Sequence, residues 1–178
     1  MQEVDGRGGA VEGLSGDARQ LATLAADGHI ETLVALLAEL LDGEALPGTT
    51  TAIDFLHKAN CGDVKVEGKV VVVGGGNVAI DAARVAKRSG AAEVTMLSLE
   101  TEDIMPASLE ERREAREDGV DLHPGWGPVE VIGEEGKVKG ITFKKCISVF
   151  DEQHRFAPKF DENVLLTLDA DRVIFAIG

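Results

Sequence analysis

The sequence predicts an α/β fold: a parallel sheet, then a β-meander, with a helical segment ahead of both. Three observations carry this expectation. Val70–Val73 is a continuous β-branched run, as expected of a strand covered on both faces. It feeds directly into Gly74-Gly75-Gly76, and that turn opens directly into a helical pattern from Asn77. From Val129 onward the texture changes to period-2 segments separated by Gly- or Asp-rich turns. Strand, glycine turn and helix in that order make the architecture Rossmann-like.

Taken along the chain, residues 1–14 are glycine-rich without periodicity and read as a flexible arm. Residues 16–42 read as a helical hairpin. Asp17 caps its first helix, Gly28 punctuates, and Ile30, Leu33, Leu36, Leu37, Leu40 and Leu41 recur at helical spacing. Leu46-Pro47-Gly48 is a turn, and Thr50 or Thr51 is the expected N-cap of a helix ending near Asn60. Val70–Val73 is the first strand and Asn77–Ser89 the next helix, ended by Gly90. Glu93–Ser98 is a second strand, Ser108–Asp118 a charged helix and Val120–His123 a short third strand. Val129–Ile132, Val138–Val149 and Val164–Leu168 form the meander, and Arg172–Ile177 the last strand. The expected division is 1–42 as arm and hairpin, and 43–178 as one nucleotide-binding domain.

Composition removes several functional classes. A formal net charge of -14 repels nucleic acid and anionic membrane alike. No apolar run approaches the ~20 residues that span a bilayer. The Met1-Gln2-Glu3-Val4-Asp5 start has no secretory pattern. Cys61 and Cys146 stand too far apart for a CxxC pair, a zinc site or a cluster ligand set. A long-range disulfide is geometrically open, and two reduced thiols in a cytoplasmic protein are the expectation. No metal site is expected, because His29, His57 and His154 are scattered and form no set with the carboxylates.

The chemistry is carried by Gly74-Gly75-Gly76-Asn77-Val78-Ala79, which matches GxGxxA between a strand and a helix. Gly74 permits the tight turn, Gly76 lets a pyrophosphate approach the backbone, and Ala79 keeps the helix close to the strand. The helix-start N–H groups and the helix dipole then hold the anion. No Gly-Lys-Ser/Thr follows, so a dinucleotide is favoured over a nucleoside triphosphate. The second strand and its exit, through Ser98, Leu99 and Glu100, choose the dinucleotide. An acid at this point bonds the ribose hydroxyls of NAD, whereas an Arg takes the 2′-phosphate of NADP. Glu100 is that acid, and no Arg or Lys occurs between Val94 and Asp103. A 2′-phosphate would face Glu100, Glu102 and Asp103 without a counter-charge. Glu102 and Asp103 themselves read as solvated loop residues.

These residues resemble a known family: the pyridine-nucleotide domain of the glutamate synthase small subunit and its relatives, which include dihydropyrimidine dehydrogenase. The resemblance covers about residues 43–178. It rests on Leu46-Pro47-Gly48, Asp54-Phe55-Leu56, the block from Gly68 through the glycine turn to Arg84, Met105-Pro106-Ala107, Gly119-Val120, Pro128-Val129, Gly136-Lys137-Val138, and Ala170 to Gly178. It implies a domain inserted into a flavin domain, exchanging hydride between NAD(H) and FAD, with electrons passing on to iron–sulfur clusters or a partner subunit. It also implies that the last strand, through Ile177 and Gly178, leads back towards the flavin. The sequence departs from the family in three ways. It stops at Gly178, it has no earlier fingerprint for FAD, and it carries Leu99-Glu100 where NADPH-using relatives carry two arginines. FAD is therefore expected in a parent enzyme and not on this chain. A standalone NAD(H)-sensing module would use the same turn and the same Glu100.

No catalytic acid or base is expected. The chain lacks tyrosine, which a short-chain dehydrogenase needs, and it lacks the GxSxG elbow of serine hydrolases. His123, in Leu122-His123-Pro124-Gly125-Trp126, reads as a loop histidine beside a packed tryptophan in preference to a nicotinamide contact at the end of the sheet. Glu110-Glu111-Arg112-Arg113-Glu114 reads as a solvated helix face or one paired at i,i+4. Asp81 serves either the helix dipole or the missing flavin domain.

Overall fold

The computed structural model describes residues 46–177. The arm and hairpin expected at 1–42, and the expected contribution of Gly178, lie outside the described residues. Strand β1 is Thr49–Thr51, helix α1 Ala52–Asn60, β2 Lys69–Val73, α2 Asn77–Arg88, β3 Glu93–Ser98, α3 Leu109–Glu117, β4 Val120–Pro124, β5 Trp126–Glu134, β6 Lys137–Phe150, β7 Phe156–Asp169 and β8 Arg172–Phe175.

Five strands form a parallel sheet in the order β1-β8-β2-β3-β4. Chain order reverses at β2: the chain moves outward through β3 and β4, then returns to place β8 on the other side. This is a topological switch point, and open α/β sheets bind ligands outside the strand C-termini at such points. β5, β6 and β7 form the antiparallel meander.

The four valines of β2 divide by parity. Val70 and Val72 face the helices, in a core with Phe55, Ile80, Ala83, Met96 and Ile174. Val71 and Val73 face the meander, in a second core with Leu97, Ile141, Phe143, Val173 and Phe175. Successive strand residues point to opposite faces, so a strand covered twice loses polar alternation and becomes a continuous apolar run.

The helices start where the sequence marks them. Thr51 caps α1, its side chain accepting from the Asp54 N–H at 3.2 Å. Ser108 and Glu111 close a capping box at α3, which satisfies backbone donors at both ends of the box. α2 and α3 are tied by Arg84, which donates to Asp118 at 2.7 Å and to Glu114 at 2.6 Å.

Several expectations need correction. β1 was not expected, because three threonines beside a helix cap carry no period; pairing with β8 makes them a strand. The meander strands are longer than their apolar segments, since ladder bonds continue through polar residues such as Lys144, Lys159 and Asp161. The last strand ends at Phe175, two residues before Ile177. His123 lies within β4, beside Leu97 of β3, and not in a loop. Its Nε2 lies 2.7 Å from Asp121 Oδ2. Cys61 and Cys146 are both free, the first exposed and the second buried. No described helix is long and apolar enough to cross a membrane.

Candidate nucleotide-binding site

The candidate site forms where β2 ends. Gly74 has φ +151, and a Cβ there would strike the Ala176 carbonyl. Its N–H donates to the Leu97 carbonyl at 2.9 Å, while the Ala176 N–H donates to the Val73 carbonyl at 2.8 Å. The turn is thus pinned between β3 and β8, with only a hydrogen tolerated at Gly74. Gly76 differs: a Cβ there would meet nothing within 4 Å. Gly76 is the N-cap of α2, with no side-chain cap and no acid in the first turn. The helix start therefore faces open space with its positive end undischarged.

Ala79 is fully buried and lets α2 lie against the sheet. Val78 is exposed at the helix start. Asn77 turns away from the open space, its Oδ1 accepting from the Ser108 N–H at 3.4 Å. The Ala107 N–H donates to the Gly75 carbonyl at 3.0 Å. The segment before α3 thus holds the glycine turn from outside.

Glu100 arrives over Gly75. A Cβ on Gly75 would lie 2.5 Å from the Glu100 carboxylate and 3.0 Å from Ser98 Cβ. The buried Ser98 hydroxyl donates to the Glu100 carbonyl at 2.9 Å, and the Gly125 N–H donates to the same oxygen at 2.9 Å. Two donors on one carbonyl fix the turn that carries the acid. Leu99 points the other way, close to Gly127, whose missing side chain makes room for Leu99 and the Phe160 ring. Ile177 packs into the meander-side core beyond β8. The structure thus gathers Gly74, Gly75, Gly76, Ser98 and Glu100, while Asn77, Leu99 and Ile177 support them from the sides.

Three participants were not apparent from the sequence: Ala107, Gly125 and Arg112. Arg112 is 5% exposed. It donates from Nη1 to the Glu102 carbonyl, and its Nε donates to the Ser108 carbonyl at 3.4 Å. The run around it is therefore not a wholly solvated face. A guanidinium presents donors in a fixed fork, which lets one buried side chain bridge two loop carbonyls. Glu102 is an exposed loop residue, as expected, and it accepts from Arg116 at 2.5 Å. Asp103 accepts from the Thr101 hydroxyl at 2.5 Å, which holds its carboxyl below the usual range. Helical spacing places these arginines 12 or more residues beyond Glu100, too far for a local search of the strand exit.

Among the described residues no group of His, Cys, Asp and Glu could hold a metal. A cleft of about 220 Å³ lies towards the opposite end of the strands, lined by residues including Lys69, Glu93, Thr95 and Asp169. It shares nothing with the glycine turn, because it opens at the strand N-termini.

Switch point, pinned glycine turn and doubly covered sheet define the class: an α/β domain of Rossmann type. Residues 37–178 match the family model described as pyridine nucleotide-disulphide oxidoreductase. The chain belongs to that family, and is thereby related to flavin-dependent oxidoreductases. It is 39% identical over 148 residues to the glutamate synthase (NADPH) small chain of Halomonas elongata, covering 76% of this chain and 31% of that one. It is 35% identical over 129 residues to the NAD-dependent dihydropyrimidine dehydrogenase subunit PreT of Escherichia coli, covering 71% and 27%. The chain therefore spans about a third or less of the length of these relatives. Among solved structures, FprA from Mycobacterium tuberculosis in complex with NADPH aligns with a TM-score of 0.63 at 20% identity, over 78% of this chain and 46% of that one. At that identity the likeness is one of fold.

Proposed function

We propose that residues 43–178 are an NAD(H)-binding domain that presents the nicotinamide for hydride exchange with an FAD held by another part of the parent protein. The observation that carries this is the open, uncapped start of α2 at Gly76, flanked by the Glu100 carboxylate over Gly75. The backbone of Gly75, Gly76, Asn77 and Val78 holds the pyrophosphate, where the helix dipole and free N–H groups favour an anion. Ser98 fixes the Glu100 turn, and Glu100 accepts from the adenosine ribose hydroxyls. The far end of the dinucleotide then runs towards Ala176 and Ile177, at the exit of β8.

A bound nicotinamide supplies the hydride donor or acceptor. This chain's residues bind and orient it, which is the protein's usual share of the work in cofactor enzymes. No described side chain is needed as acid or base. The greater length of the relatives supports a parent chain with a flavin-binding part, the resemblance adds onward electron transfer to iron–sulfur clusters or a partner subunit, and two free thiols fit a cytoplasmic protein. The relatives carry both NAD and NADPH in their names, so the preference for NADH rests on Glu100.

Calorimetric titration of NADH and NADPH on the wild type and Glu100→Arg tests this. Charge-assisted bonds to Glu100, and its repulsion of a 2′-phosphate, favour NADH by about ten- to a hundredfold in the wild type. The substitution narrows or inverts that ratio. Equal affinities in the wild type, or tighter NADPH, would remove Glu100 from the role.

A further inference from the structure

The meander brings a cation to the edge that carries Glu100. After β4 the chain bends through Gly125, at φ +80. The Gly125 N–H holds the Glu100 carbonyl, and the Gly125 carbonyl accepts from the Cys146 N–H at 2.9 Å. β6 is thereby fastened against the turn that aims the acid. Lys145 sits at this junction. A methyl group on Gly125 would lie 3.1 Å from its Nζ, and the ammonium stands 4.8 Å from the centre of the Trp126 ring. A cation over an indole face is attracted by the ring's negative quadrupole, so Trp126 steadies the lysine without neutralising it.

The neighbouring cations are committed elsewhere. Arg116 is paired with Glu102 at 2.5 Å, Arg112 serves the Glu102 and Ser108 carbonyls, and Lys144 pairs with Glu162 at 3.1 Å. Among the described residues no carboxylate forms an ion pair with Lys145. The Cys146 thiol, next along β6, is pushed up by burial first and by the Glu100 charge second. That is expected of a strand within electrostatic reach of the acid.

We propose that Lys145 is a specificity-determining residue of the nucleotide site, its ammonium meeting an anionic substituent on the adenosine ribose and thereby giving 2′-phosphorylated dinucleotides a residual affinity against the repulsion of Glu100. The inference rests on the nucleotide reading above. It makes selectivity a balance between two strands: β3 supplies the acid that favours NADH, and β6 supplies the base that moderates it. A phosphomonoester carries close to two charges at neutral pH, so it responds to one ammonium more strongly than a hydroxyl does.

The test is calorimetric titration of NADH and NADPH on the full chain as wild type, Lys145→Met and Lys145→Arg. The methionine keeps the apolar stem and removes the charge; the arginine keeps the charge. Lys145→Met weakens NADPH about five- to tenfold and leaves NADH within about twofold, and Lys145→Arg retains both affinities. Raising salt to about 0.3 M shrinks the NADPH difference between wild type and Lys145→Met. A structural role, acting through Trp126, would instead move both nucleotides together and lower the thermal midpoint. Equal shifts, or none, in a wild type that binds NADH overturn this proposal alone. A wild type that binds neither nucleotide overturns it together with the nucleotide reading.

Discussion

β2 and β7 show how differently the two sheets use their strands. β2 has five residues, and all four of its valines are buried. β7 has fourteen residues, yet Leu165 within it stands 59% exposed. A parallel strand between two layers has no solvent side, so it can be short and uniformly apolar. An antiparallel strand with one covered face must be long to bury comparable area, and its outer face admits Lys, Asp and Glu. The difference also locates the proposed nucleotide site. The parallel sheet ends abruptly in glycines, with backbone N–H groups facing open space. The meander closes one face and reaches the same edge through Gly125 and Lys145.

The division can be broken first at its seam. Phe143 is fully buried in the core between meander and sheet. Phe143→Ala should cost about 3–5 kcal/mol through lost burial and a residual cavity. Chemical unfolding monitored by circular dichroism should show one transition at lower denaturant. Separate transitions for the two sheets would show that the meander is an independent unit.

Two glycines two residues apart should then part company. Gly74→Val places a branched side chain on the Ala176 carbonyl at a positive φ, so it should destabilise by about 2–4 kcal/mol. Gly76→Val meets open space and should cost only about 1 kcal/mol, yet it should weaken NADH about a hundredfold by blocking the pyrophosphate's approach. Thermal melts and titrations of both variants decide this. Unchanged NADH binding by Gly76→Val would place the nucleotide elsewhere.

The smallest effect concerns acid. Arg84, by its hydrogen bond, and then Arg88 hold the Asp118 carboxyl below the usual range. A depressed folded value means that the unfolded chain takes up the proton first as pH falls. The contribution is therefore complete above the ordinary carboxylate range, near about pH 4, and lost as pH falls through the folded value. The Asp118 side chain is 26% exposed and its partner Arg88 60%, so solvent screens the pair in part and Asp118→Asn should lower the thermal midpoint only slightly at neutral pH. That difference should vanish in acid. A gap that persists unchanged at low pH would point to packing of α2 on α3 and not to charge.

The sequence by itself determined much of this protein because the decisive signals are local. A β-branched run before three glycines, a helix capped by Ser108 and Glu111, and alternation beyond Val129 each follow from interactions within a few residues. The acid at Glu100 was visible for the same reason: it follows its strand directly. β1 was not visible, since Thr49–Thr51 becomes a strand only through ladder bonds to β8, more than 120 residues away. The electrostatics of the site were equally hidden. Arg112 folds back from a helix onto the Glu102 carbonyl, and Lys145 reaches the Glu100 turn from β6 through Gly125. Backbone bonding and hydrophobic period repeat over short spans and can be read along the chain. Which segments are fastened together across 45 residues depends on sheet order and strand register, which exist only in the folded protein.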